Sequence, residues 1–391
     1  MNLMYITALD VLDKEKCGIY GKISGQINAM KKDNINVHFG HFYGEDRFMI
    51  ELNEQNFILQ SRGKNTRAKF SYIYDKLFDY IKKKSIKIVY IRFTSLDKNA
   101  INFYRSLKNN GITVIIEFYS HNLELEAQKT VKRLLKNKDY LKAFKDEVSL
   151  CINKYYFRKL DTCIDLIVTT TKVGKLYNVP TINVINGIDT SSTTIRKKQT
   201  NEYDFNIISV AMISSWHGYD RIIKGIANYY KNGGKLNILY NVIGDGEEKV
   251  KLESIVKKLG LEKHVSFPGI KIGKELEEYY SIADVALEML AGFRRTQGQI
   301  SSIKMAEYFA KGIPIIFSSE ENLYSSEINK YCYRVPYDNT DISIEKIINF
   351  SIGLQKKENN IENSMHDIAE REFDWAVTME ELLKYILQKD S

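Results

Sequence analysis

At 391 residues the chain is longer than one open α/β domain requires, and each half keeps enough residues to bury a core of its own. Its 44% hydrophobic and 27% charged residues give the balance of a folded globular protein and exclude a disordered or fibrous one. A net charge of +8 favours an anionic partner without choosing among nucleic acid, a phosphorylated ligand and a membrane surface.

Taken in chain order, short β-branched runs alternate with segments of helical periodicity. Residues 3–8, 35–42, 86–93, 112–119, 166–170 and 181–184 read as strands, while 22–32, 70–84 and 99–109 place apolar residues at helical spacing. Such alternation predicts βαβ units and a parallel sheet. After Asn186-Gly187-Ile188-Asp189, the polar stretch 190–203, rich in Ser, Thr and Lys, is the expected interdomain linker. A second series follows, with strands at 206–211, 236–243, 264–268, 285–289 and 314–318 and helices at 219–232, 247–259, 273–282 and 302–311.

The expected division is therefore an N-terminal Rossmann-like domain over 1–190 and a C-terminal one over 200–372, with a closing helix over 373–391 that packs back on the first. Two doubly wound halves imply a cleft at the carboxyl ends of their strands, where open α/β sheets bind ligands. No run approaches the roughly 18 apolar residues of a membrane span, and the first ten residues enter a strand without a basic flank, so a cytoplasmic protein is expected. Cys17, Cys151, Cys163 and Cys332 lie far apart without neighbouring histidines, and no D-x-D pair follows a strand; neither a zinc site nor any other metal or cofactor is expected.

The segment from Ile300 to Ile316, ISSIKMAEYFAKGIPII, carries the most chemistry. Ser301 or Ser302 suits a helix N-cap, Gly312 a C-cap, and Pro314 opens a strand. A helix start offers free amides and a positive dipole end to a diphosphate. Lys304 and Glu307 would share one face, as a cation for the leaving nucleotide and a carboxylate for the ribose, or as an ordinary surface ion pair.

This segment resembles the signature helix of the retaining glycosyltransferases of family four (glycosyl transferases group 1), which have the GT-B fold of two Rossmann-like doubly wound domains facing a cleft. Trp216-His217-Gly218-Tyr219-Asp220-Arg221, Val242-Ile243-Gly244-Asp245-Gly246-Glu247, Val265-Ser266-Phe267-Pro268-Gly269 and Ala283-Asp284-Val285 stand around it in the family's order. The resemblance makes Glu307 the ribose-binding glutamate. Where the family has a further glutamate eight positions earlier, this chain has Gln299, and the family's diphosphate-binding Arg and Lys stand here as Met212 and His217. Lys304, Arg294 or Arg295 is proposed to supply the missing charge; a solvated basic loop is the alternative for the arginines, and packing at a helix start for Trp216 and His217. Gly244 and Gly246 mark either a strand-to-turn signal or the rim of the donor site.

In the first half, Gly18 and Gly21 open a helix after the first strand, as a turn or as an approach to phosphate or sugar. The spacing is not G-x-G-x-x-G, which argues against a nicotinamide enzyme. Arg92, Glu117, Ser120, His121 and Glu124 follow strands. By the resemblance His121 contacts the transferred sugar; a structural histidine is the alternative. Glu117 and Glu124 either bind acceptor hydroxyls or move a proton.

The function expected is transfer of a sugar from a nucleotide-sugar donor, taken as UDP-linked, to a glycan or lipid-linked acceptor hydroxyl, with retention and without a metal, in bacterial polysaccharide or glycoconjugate synthesis. The alternatives are a non-catalytic glycan-binding subunit of a transferase complex and a nucleotide-sugar epimerase. Residues 129–159 interleave lysines and arginines with apolar side chains, which suits peripheral contact with an anionic membrane at its cytoplasmic face or a solvated helix. No nucleic-acid module is present, and none is expected as partner.

Overall fold

The computed structural model describes residues 1–391 except 14–16, 119–122, 137, 172, 295–301, 320–324 and 390–391. The chain divides into two compact units, one formed by Met1–Gly187 with Trp375–Ser391 and the other by Ile188–Asp374.

In the first unit, β1 (Asn2–Asp10) is followed by α1 (Cys17–Lys32), β2 (Asn36–Phe42), β3 (Arg47–Leu52), β4 (Gln55–Gln60), α2 (Thr66–Lys83), β5 (Ile88–Arg92), α3 (Lys98–Asn109) and β6 (Thr113–Glu117). Then come α4 (Leu123–Lys136), α5 (Tyr140–Phe157), β7 (Leu166–Thr169), β8 (Lys175–Leu176) and β9 (Val179–Asn183). The strands form one sheet in the order β4-β3-β2-β1-β5-β6-β7-β9-β8. Its central members run parallel, and Val, Ile and Leu continue along them because helices cover both faces. An edge hairpin, β3 and β4, pairs antiparallel and turns at Asn53, which takes a left-handed φ of 54°.

The second unit comprises β10 (Phe205–Val210), α6 (Tyr219–Lys231), β11 (Ile238–Ile243), α7 (Lys249–Leu259), β12 (Val265–Gly269), α8 (Gly273–Ile282), β13 (Val285–Leu287), α9 (Ile303–Lys311) and β14 (Ile315–Ser318). It continues through α10 (Ser326–Lys330), β15 (Cys332–Val335), α11 (Ile344–Lys357) and α12 (Ile361–Glu372). All pairings are parallel, in the order β12-β11-β10-β13-β14-β15. The unit's first strand thus lies between its second and fourth, and the crossovers reverse direction between β10 and β13.

The stretch read as a free linker is held on the second unit. Arg196 is buried, its Nη1 donating to the Ala283 carbonyl and its Nη2 meeting Glu362 Oε1 at 3.2 Å; Lys198 Nζ lies 3.0 Å from Asp284. Sequence polarity marks these residues as surface, and their side chains bind the surface beneath them.

The chain ends on two helices, α13 (Trp375–Thr378) and α14 (Glu380–Gln388), where one continuous helix was expected. Trp375, Met379, Leu382, Leu383 and Ile386 join the core of the first unit. The Trp375 indole lies where a Cβ on Gly25 of α1 would stand, so only glycine admits it.

Candidate functional site

In the second unit the strands flanking the reversal part company early. β10 and β13 pair at Ile207 with Val285 and Ile208 with Ala286. Beyond that the Tyr308 hydroxyl bridges them, accepting from the Val210 amide at 3.1 Å and donating toward the Leu287 carbonyl at 3.5 Å. A crevice outside the carboxyl ends of the strands, at such a reversal, is where open α/β sheets take ligands.

Tyr308 belongs to α9, which connects the parallel strands β13 and β14 and so starts on the side of the sheet where β13 ends. Ser302 is the N-cap, extended at φ −95° and ψ 147°, its Oγ accepting from the Met305 amide at 3.4 Å; Gly312 closes the helix with a left-handed φ of 72°. The apolar side, Met305, Ala306, Tyr308 and Phe309, is buried, whereas Ser302, Lys304 and Glu307 are partly exposed. The Tyr280 hydroxyl donates to Glu307 Oε1 at 2.8 Å. Burial raises the Glu307 pKa, against the Tyr280 hydrogen bond and the charge of Lys311, which lower it. Lys311 itself is consumed structurally, its Nζ 2.6 Å from Glu277.

Three loops meet at the carboxyl ends of β10, β11 and β13. Gly244 and Gly246, at φ 123° and 155°, bring the loop after β11 against the one after β10; a Cβ would fall on the Ala211 oxygen at the first and the Ile213 oxygen at the second. The Ile213 amide in turn donates to the Asp245 carbonyl at 2.7 Å. On the other side, the Leu290 and Ala291 amides donate to the His217 and Trp216 carbonyls, both at 3.1 Å, tying the loop after β13 to that after β10.

This lacing corrects several assignments. Arg221 is fully buried and donates to the carbonyls of Leu290, Pro336 (2.9 Å) and Thr340 (2.7 Å), so it is a tie between loops rather than a phosphate contact. Buried His217 accepts the Ser214 amide at its Nδ1, 3.2 Å, and stacks on Tyr219, which makes it a cap of its own turn. Arg294 forms a two-pronged pair with Asp220 at 2.6 and 3.1 Å and also meets Asn339 at 2.7 Å, so its charge is already matched. Lys304, also offered for the diphosphate, is partly exposed in the first turn of α9. Met212, at the family's arginine position, is 72% exposed.

In the first unit Glu117 ends β6 at 2% exposure, with Lys22 Nζ 2.7 Å from its Oε1 and the Tyr90 hydroxyl donating to its Oε2 at 3.0 Å. Burial alone would raise its pKa, but Lys22 and Arg92 outweigh it and hold the carboxyl at about 2. A carboxylate so committed does not take protons near neutrality, which corrects the proton-moving assignment. Glu124 lies 3.6 Å from Lys154. Gly18 and Gly21 sit in the exposed first turn of α1, where a Cβ would meet nothing within 4 Å, so no internal packing demands glycine there. Ser120, His121, Arg295, Gln299 and Ser301 lie outside the described residues. Residues 129–159 contribute α4 and α5, among whose apolar side chains Tyr140, Leu141, Phe144 and Tyr155 are exposed. Among the described residues no helix is long and apolar enough to cross a membrane.

The sequence reading missed Asp220, Tyr280, Tyr308 and Lys22. Asp220 and Tyr308 lay inside the motifs, but nothing local distinguishes a tyrosine that bridges two strands from one that fills the core.

Residues 191–364 match the model of the family described as glycosyl transferases group 1. No curated protein matches the chain. Among solved structures, a glycosyltransferase from Rickettsia africae superposes with a TM-score of 0.65 at 12% identity, covering 99% of this chain and 98% of that one. Sucrose-phosphate synthase from Thermosynechococcus elongatus gives 0.65 at 14% identity, covering 99% of each chain. Anabaena HepE in complex with UDP gives 0.60 at 12% identity, covering 99% of this chain and 100% of that one. At such identity the likeness establishes the fold, which is GT-B.

Proposed function

We propose that this chain, whose residues 191–364 form a glycosyl transferases group 1 domain, moves a hexosyl residue from a UDP-linked donor to a hydroxyl of a glycan or lipid-linked acceptor, with retention, in polysaccharide or glycoconjugate synthesis in a bacterial cytoplasm. The observation that carries the reading is the start of α9, capped by Ser302 at the strand reversal with Lys304 and Glu307 partly exposed in its first turns. Amides of that start and the positive helix end would hold the diphosphate and stabilise it as it leaves. Lys304 would add charge, and Glu307, with lone pairs left beside the Tyr280 bond, would accept the ribose hydroxyls. The acceptor would occupy the first unit. Gln299 and His121 are assigned to the transferred sugar on the resemblance alone, and the acceptor hydroxyl would attack from the face the diphosphate leaves. No metal enters this reading. That HepE was solved with UDP supports the choice of nucleotide.

The test is a thermal-shift screen of nucleoside diphosphates followed by a transfer assay. A ligand binding only the folded state at a hundred times its Kd adds about 2.7 kcal/mol, so UDP at that concentration should raise melting by several degrees. Indifference to every nucleoside diphosphate would refute the reading. Donor turnover without any acceptor would instead indicate an epimerase. Met212 and the pairing of Arg294 with Asp220 favour the second reading, a glycan-binding subunit, which requires nucleotide indifference together with glycan binding.

We also assign α4 and α5 to an anionic membrane surface. Leu141, Phe144, Val148 and Tyr155 are exposed at 79%, 70%, 42% and 56% at helical spacing, amid exposed Lys138, Lys142 and Lys145. Apolar insertion with basic flanks is how interfacial helices bind. Leu141→Glu with Phe144→Glu should cut sedimentation with phosphatidylglycerol vesicles at least tenfold. Unchanged sedimentation, or none by the wild type, defeats the assignment.

A further inference from the structure

Near the carboxyl ends of β1, β5 and β6 lies a buried polar group whose charges do not cancel. Tyr5 stands opposite Tyr90 across β1 and β5, and Arg92 stands opposite Glu117 across β5 and β6. Against them α1 lays Lys22 and Gln26. The exposures are 7% for Lys22, 15% for Arg92, 2% for Glu117 and 0% for Gln26, Tyr5 and Tyr90. Both cations share one carboxylate oxygen, with Lys22 Nζ at 2.7 Å and Arg92 Nη1 at 3.9 Å from Glu117 Oε1, while Oε2 receives the Tyr90 hydroxyl at 3.0 Å. Among the described residues one positive charge is left over.

Two donors are also left over among the described residues. The Tyr5 hydroxyl lies 2.8 Å from Gln26 Oε1 and 3.5 Å from Glu117 Oε2, and with Tyr5 donating to Gln26 neither Gln26 Nε2 nor Arg92 Nη1 has a hydrogen-bond acceptor among the described residues. Buried donors without acceptors are rare in folded proteins, and each calls for an explanation. The place supplies one. β1 has β2 on one side and β5 on the other, so the crossovers of the first unit reverse here, the position at which open α/β sheets bind ligands.

We infer that this group is an anion subsite, which takes a carboxylate or phosphate carried by the acceptor. The inference rests on the reading that the first unit holds the acceptor. An anion supplies both missing acceptors and brings two cations and one carboxylate to balance. A neutral sugar hydroxyl can do the first but not the second, and Glu117, locked in its ionised form, serves as a positioning residue that holds Lys22 and Arg92 in place.

The test uses the full chain at fixed ionic strength, with and without saturating UDP, and follows melting with sodium D-glucuronate, inorganic phosphate and D-glucose. Glucuronate or phosphate should raise the melting temperature where glucose does not, and the anion that acts tells a carboxylated acceptor from a phosphorylated one. Arg92→Gln leaves the Lys22–Glu117 pair intact and should weaken anion binding at least tenfold with UDP affinity unchanged. Gln26→Leu removes an unused donor without altering any charge, should weaken binding severalfold, and decides the matter if the arginine variant does not fold. Absence of an anion response in the wild type, or full responses in both variants, overturns the inference. Loss of the UDP response alone removes the donor reading and leaves the anion subsite standing.

Discussion

Glu307→Ala should lower kcat/KM for sugar transfer by two to three orders of magnitude without unfolding the protein. The carboxylate stands one turn inside α9 and receives the Tyr280 hydroxyl at 2.8 Å. Two ribose hydroxyls donating to it would each contribute about 1.5–3 kcal/mol, of which about 3–4 kcal/mol in sum is expected to survive competition with water. That corresponds to the stated loss. Because the ribose takes no part in bond breaking, the effect should fall mainly on KM, as removal of binding common to ground and transition states does. Glu307→Gln keeps acceptor lone pairs and should lose less. Initial-rate kinetics with the donor varied provide the measurement, and a Glu307→Ala enzyme within threefold of wild type would remove Glu307 from the donor site.

Glu117→Ala should destabilise the first unit by about 3–5 kcal/mol, the range for breaking a buried ion pair from one side. The loss strands Lys22 and Arg92, at 7% and 15% exposure, without their shared counter-charge. The same pairing sets an acid sensitivity. Glu117 titrates at about 2 in the folded chain against 4.5 when unperturbed, so the unfolded state binds more protons between those values. Its contribution is complete above the unfolded pKa and is lost as the pH falls from about 4.5 toward 2. Glu117→Gln, already weakened at neutrality, should show a flatter decline across that window. Urea denaturation at a series of pH values checks both points, and parallel profiles for variant and wild type would exclude the role given to this carboxylate.

Much of the second unit was legible because β10, β11, β13 and β14 are mostly apolar and buried and the helices between them repeat apolar residues at helical spacing, whereas β15, with Arg334 inside it, and α10 to α12 went unread. Expected strands at 206–211 and 236–243 correspond to Phe205–Val210 and Ile238–Ile243. The edge hairpin escaped because its strands are short and half-exposed, with Arg47, Glu51 and Gln55 breaking the apolar pattern. In the site, the start of α9 could be read from local signals, Ser302 and Gly312 among them. What escaped was occupancy. Arg294 looked like an available cation because its partner Asp220 lies 74 residues away, and Glu117 looked like an available base because Lys22 comes from a different element. Sequence spacing carries local geometry, whereas the neutralisation of a charge depends on tertiary contacts that no local window contains.

Trp375 and the four apolar side chains that follow it into the core of the first unit also bear on synthesis. These residues emerge from the ribosome after every residue of the second unit has been made. The half of the protein translated first consequently waits, with a gap beside Gly25, until Trp375–Ser391 arrive. Truncations from the carboxyl end should therefore harm the amino-terminal unit while sparing the one encoded next to the cut.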